Sequence, residues 1–80
     1  MSKEMYKQRL ASLRTQIELE KSLKKKDNEY FSKIIKSTTL PASKESYKKS
    51  KIARAAAHDR RIEQLKREIE RTKEIMKRTK

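Results

Sequence analysis

Eighty residues, 44% of them charged and 32% apolar, can bury only one small core, near the size at which a core barely offsets the conformational entropy of folding. Without cysteine there are no disulfides and no thiolate metal ligands, and without glycine there are no phosphate-cradling loops of the nucleotide-binding kind. A net charge of +13 points to anionic partners.

Low hydrophobicity with high net charge is also the composition of disordered chains. Here the apolar residues recur at helical spacing and the polar ones are mostly Lys, Arg, Glu and Gln, so folded helix is expected. The start, Met1 to Met5, has no apolar signal region, and no apolar run approaches a membrane span. A soluble cytoplasmic protein is the expectation.

The first helix is expected over about 2–37, with Ser2 as its cap. At 100° per residue, Tyr6, Leu10, Leu13, Ile17, Phe31 and Ile35 share one face. Met5, Leu19, Leu23, Tyr30 and Ile34 form a second stripe about a third of a turn away. Either one stripe packs within the chain and the other against another molecule, or both belong to one broad face on a single partner helix. The polar run Lys24-Lys25-Lys26-Asp27-Asn28 reads as an exposed turn of helix or a kink.

Pro41 is the only proline, set among Ser and Thr residues that compete for backbone hydrogen bonds, so a turn is expected at about 38–43. Ser43 is the expected cap of a second helix over about 44–78. In that helix Ile62, Leu65, Ile69, Thr72, Met76 and Thr79 alternate spacings of three and four, continued upstream by Ala55 and His58, which is a coiled-coil seam. Glu63 with Arg67, Glu74 with Arg78 and Lys66 with Glu70 can pair along its outer face.

Folding the halves back at Pro41 sets residue n opposite residue 81 minus n. The fold class is therefore all-α: two long antiparallel helices in a coiled-coil-like helical hairpin, a single domain. Dimerisation into a four-helix bundle would cover what one hairpin leaves wet. Leu10, Leu13, Ile17, Leu19, Leu23, Ile34, Ile62, Leu65, Ile69 and Met76 are the residues expected in the hairpin seam or an oligomer interface. By the same register the small residues Ala53, Ala55, Ala56 and Ala57 face Lys24 to Lys26, giving a slim, basic waist.

Catalysis is poorly supplied, and no enzyme is expected. The single histidine stands next to Asp59, but adjacent helical residues point about 100° apart, so the two do not form a base and its orienting carboxylate. Asp59 with Glu63 is a carboxylate pair four residues apart that could hold a hard cation weakly, but Arg60, Arg61 and Arg67 surround it and repel cations, so neither metal nor cofactor is assigned. Were His58 in a dimer seam, its protonation would set like charges together and weaken the assembly as pH falls.

Charge carries the functional signal. From Lys21 to Arg54 there are eleven basic and three acidic residues, a net of +8, against +5 over the other 46 residues. Lys24, Lys25, Lys26, Lys33, Lys36, Lys44, Lys48, Lys49, Lys51 and Arg54 are the candidate contacts to nucleic-acid phosphates, DNA or RNA, with hydroxyls of Ser37, Thr38 and their neighbours as further donors. Tyr30 and Tyr47 are candidates to stack on bases, whereas Phe31 reads as core. The pattern resembles small helical-hairpin proteins, among them dimeric plasmid RNA-binding hairpins and helical ribosomal proteins, in architecture and charge alone. The expected partners are nucleic acid and a second copy. The alternative is an assembly or adaptor protein that engages a protein partner by helix packing on the second stripe; a membrane-surface role is disfavoured by interrupting Glu and Asp and the lack of Trp.

Overall fold

The computed structural model describes residues 2–79 and consists of two helices, α1 (Lys3–Ser37) and α2 (Pro41–Arg78), packed along their lengths as an antiparallel hairpin. The Cα trace measures 62 × 14 × 12 Å. No described helix is long and apolar enough to cross a membrane.

α1 begins where the sequence places it. The Ser2 hydroxyl accepts the Met5 N–H at 3.4 Å, and Glu4 sits in the first turn beside the positive end of the helix dipole. The helix continues through Lys24 to Asn28 without a break, so that polar run is helix rather than kink. At its other end the Ile34 carbonyl accepts the Thr38 N–H (3.0 Å), the Thr38 hydroxyl (2.6 Å) and the Ser37 hydroxyl (3.1 Å). The two hydroxyls add to the backbone bond that this carbonyl already accepts and reinforce the end of the helix.

The turn is shorter than the 38–43 expected, spanning Thr38 to Leu40, and α2 starts at Pro41. Ser43 is therefore not the cap but a half-buried residue of the first helical turn. Leu40 occupies the cap position and makes no side-chain bond to the helix. Proline itself accounts for the difference: its φ is preset for helix, and its missing N–H would have been unpaired in the first turn anyway.

One end of the hairpin holds the aliphatic core. Leu10, Leu13 and Ile17 of α1 interlock with Ile62, Leu65 and Ile69 of α2, and Met76 packs against them. Leu65, only 1% exposed, is its centre. Thr72 extends the seam and donates its hydroxyl to the Glu68 carbonyl at 2.8 Å, so a polar atom is buried at no unpaired cost. Nearer the turn Phe31 is buried, meeting the Tyr30 ring edge-on at 5.3 Å between centroids, while Tyr6, Ile34 and Ile35 are half-buried.

The two stripes of α1 separate. The first lines the hairpin; Leu19, Leu23 and Tyr30 of the second remain outside it, with Met5 also exposed. Of the outer-face pairs on α2, Glu74 with Arg78 forms at 4.0 Å, whereas Glu70 pairs with Lys73 at 3.6 Å instead of Lys66.

Candidate nucleic-acid interface

Between the aliphatic core and Phe31, the face of α1 that meets α2 carries Glu20, Lys24 and Asp27, at spacings of four and three that keep them on one side of the helix. Apolar contacts cannot hold the hairpin here; ions do. Lys24 Nζ lies 2.7 Å from Asp59 Oδ1, and Arg54 Nη1 lies 3.7 Å from Asp27 Oδ2. His58 sits between two carboxylates of the other helix, Nδ1 at 2.5 Å from Glu20 Oε1 and Nε2 at 2.6 Å from Asp27 Oδ2. The waist is thus a mixed-charge network, not the basic constriction expected from Lys24 to Lys26 alone. Ala55 and Ala56 are half-buried beside it, while Ala53 and Ala57 face outward.

Only the imidazolium form of His58 can donate to both carboxylates, because the neutral ring carries one N–H and would turn a lone pair on the second carboxylate. The hydrogen bond to Asp27, followed by that to Glu20, raises the His58 pKa above its ordinary 6.5, against a smaller opposing effect of desolvation. The histidine belongs to the seam within one chain, and it meets opposite charges there. Its protonation therefore strengthens the packing of the helices, the reverse of the effect expected for a dimer seam. The carboxylates approach opposite edges of the ring, so the three groups do not converge on one ion, and no metal-holding cluster occurs among the described residues.

The ten cationic residues expected to touch phosphate divide into two groups. Lys24 and Arg54 serve the waist, and Lys51 donates to the Ser32 hydroxyl at 3.0 Å, binding the helices together nearer the turn. Lys25, Lys26, Lys33, Lys36, Lys48 and Lys49 are exposed, Lys44 is half-buried, and none of these seven makes an ion pair among the described residues.

Part of the second group forms a continuous surface. A shallow groove along α1 is bordered by Lys21, Lys24, Lys25, Asn28, Glu29, Ser32, Lys33 and Lys36, with Lys21 at its end paired to Glu18 at 3.6 Å. A cleft between the helices is bordered by Ser32, Ile35, Lys36, Lys48, Lys51 and Ile52. Ser32 and Lys36 border both, joining groove to cleft, and from Lys21 to Lys36 the surface runs about 22 Å at 1.5 Å per residue. Sequence counting missed Ser32, which ties Lys51 down at the junction, and missed Ile52, which stands 70% exposed on the cleft wall. Lys21 counted only toward the charge total, although it opens the groove.

The hydroxyls fare differently. Those of Ser37 and Thr38 are turned onto the Ile34 carbonyl and end α1, so they are not free to reach for phosphate. Tyr30 is 59% exposed and Tyr47 36%, and both present ring surface to solvent. Leu10, Leu13, Ile17, Ile62, Leu65, Ile69 and Met76 lie in the seam as expected, whereas Leu19 and Leu23 lie outside it and Ile34 at its margin. Compared with known proteins, the chain matches no family model, no curated protein and no solved structure.

Proposed function

We propose that the hairpin binds DNA or RNA through phosphates, using the lysine surface that wraps from α1 into the cleft near the turn. The observation that carries this reading is the division of the cations: three are engaged in holding the helices together, while Lys25, Lys33, Lys36 and Lys48 beside them make no ion pair among the described residues. Unpaired cations on a continuous surface gain most from a polyanion, whose condensed counterions they release.

Shape supports backbone contact over base reading. A major groove about 12 Å wide admits one helix, and here two lie abreast along almost their whole length. The hairpin would lie across phosphates, with Tyr30 or Tyr47 able to stack on bases where the partner is single-stranded. No catalytic step enters this reading.

Fluorescence anisotropy with single- and double-stranded DNA and RNA oligonucleotides, titrated over a range of salt, tests it. Binding that weakens steeply with salt is expected. An absence of binding to all four at low salt would end the proposal, and a salt-independent affinity would remove its phosphate basis.

A further inference from the structure

We infer that the outward stripe of α1, formed by Leu19, Leu23 and Tyr30, is a docking surface for an acidic amphipathic helix of another protein. These side chains stand at spacings of four and seven, so they line one side of α1. They are 59%, 40% and 59% exposed, although the chain has few large apolar residues and α2 already covers the other apolar face of α1. Leu19 to Tyr30 spans about 16 Å of helix, some three turns, a length suited to another helix lying alongside.

The chemistry of the occupant follows from the rim. On the outer side of the stripe stand Lys26 and Lys33, one heptad apart and both exposed. On the inner side Arg54 of α2 reaches Asp27, which neighbours both Leu23 and Tyr30 along α1, and exposed Arg61 follows Arg54 by one heptad on the same face of α2. The carboxylates nearest the stripe, Glu20 and Asp27, are both held by His58. Cations therefore border the apolar seam on both sides: Lys26, Lys33 and Arg61 make no ion pair among the described residues, although Glu29 lies within helical reach of both lysines, while Arg54 is shared with Asp27. A helix with an apolar seam flanked by Glu or Asp matches both features at once.

A second copy of this chain matches only the first. Laid stripe to stripe in either direction, two copies would bring like cationic rows together, each on a chain of net charge +13. The stripe adjoins the proposed phosphate surface, with Lys33 and Tyr30 at the boundary between them. By 100° per residue, Lys21, Lys25 and Lys36 lie a third of a turn or more around α1 from it.

The test uses the full chain and labelled peptides of about 18 residues, roughly 27 Å of helix. One has leucines at heptad a and d positions among Glu, Gln and Ala; a second is its scramble; a third has Lys in place of Glu. The acidic amphipathic peptide should bind about tenfold or more tighter than either control. The variant Leu19→Ser/Leu23→Ser/Tyr30→Ser, with helical circular dichroism unchanged, should lose that margin. Lys26→Glu/Lys33→Glu, which leaves the apolar stripe intact, should shift preference toward the basic peptide. Equal affinity for the scramble would overturn the inference, as would an unaltered preference in the charge-reversed variant. It would fall also if sedimentation showed a dimer that the triple-serine variant disperses, or if that variant lost oligonucleotide affinity by the same factor, since the stripe would then serve a second copy or nucleic acid.

Discussion

His58 Nε2 lies 2.6 Å from Asp27 Oδ2 across the hairpin, and the opposite edge of the same ring meets Glu20. The charged groups around it are Glu20, Lys24 and Asp27 from α1, with Arg54 and Asp59 from α2; Lys24 is taken by Asp59, and Arg54 shares Asp27. The folded chain therefore favours the protonated ring. Because the folded pKa is raised above the unfolded value, this stabilisation is complete below about pH 6.5 and is lost as pH rises through the folded pKa. Thermal unfolding between about pH 5.5 and 9 should show the melting temperature falling toward alkaline pH, and His58→Gln should flatten that slope. As the chain has one histidine, its imidazole resonance is unambiguous. A titration midpoint at or below 6.5 would refute the clamp.

Removing Asp27 tests the division between the two carboxylates. Asp27 supplies the largest contribution to the raised pKa, so Asp27→Asn should lower the His58 midpoint more than Glu20→Gln does. The same substitution also frees Arg54. Equal midpoints in the two variants would show that the ring is held by Glu20 as strongly as by Asp27.

Much of the fold was legible because periodicity and a single breaker are local signals. The alternating threes and fours of Ile62, Leu65, Ile69 and Thr72 mark the seam of α2 whatever it packs against, and Pro41 marks the turn. The pairing rule also survives, since Arg54 opposite Asp27 fulfils it and Lys24 with Asp59 misses it by two residues. The His58 contacts are not legible from α2 alone, where its neighbour in sequence is Asp59, because its partners stand 31 and 38 residues away. A signal did exist in α1. Its inward period passes from Ile17 to Glu20, Lys24 and Asp27 before returning to Phe31, and charges at inward positions require charges opposite. The start of α2 differs from the capping preference of Ser43 for a different reason: the backbone advantage of proline at the first helical position outweighs a side-chain cap.

Leu65→Ala should be the most damaging single truncation. The residue is 1% exposed at the centre of a six-residue core, and such substitutions cost about 2–5 kcal/mol. Leu19→Ala removes the same atoms from a site 59% exposed and should change stability by no more than about 0.5 kcal/mol. Urea unfolding followed by circular dichroism measures both. Similar losses in the two variants would mean that Leu19 is buried in the molecule in solution, as in the four-helix bundle.

The end of α1 offers a local prediction. Thr38→Val with Ser37→Ala removes two hydroxyl donors from the Ile34 carbonyl and leaves the Thr38 backbone bond in place. The last turn should loosen by about 0.5–1.5 kcal/mol, read as faster hydrogen exchange of its amides. The amides of Leu65 and Ile69, in the core at the far end, should exchange as before. Oligonucleotide affinity should also be unchanged, since these hydroxyls are engaged within the turn; a large loss of affinity would return them to the phosphate surface.

The sharpest test of the phosphate surface compares variants of equal charge. Lys33→Gln/Lys36→Gln/Lys48→Gln takes three lysines from the basic surface near the turn, whereas Lys7→Gln/Lys66→Gln/Lys77→Gln takes three exposed lysines from the half of the hairpin remote from it. Both sets lower net charge by three, so a purely global attraction would weaken equally in each. Local contact predicts otherwise. The first variant should lose affinity for duplex at every salt concentration and show a logarithmic salt slope shallower by about 2–3, at roughly 0.9 for each phosphate contact removed. The second should keep the parental slope within about 0.5. Lys24→Gln separates contact from scaffold: Lys24 holds Asp59 at 2.7 Å, so its loss should lower the melting temperature while leaving the salt slope nearly intact. If the two triple variants weaken binding alike, the attraction belongs to the whole chain and the surface at the turn end has no special part in it.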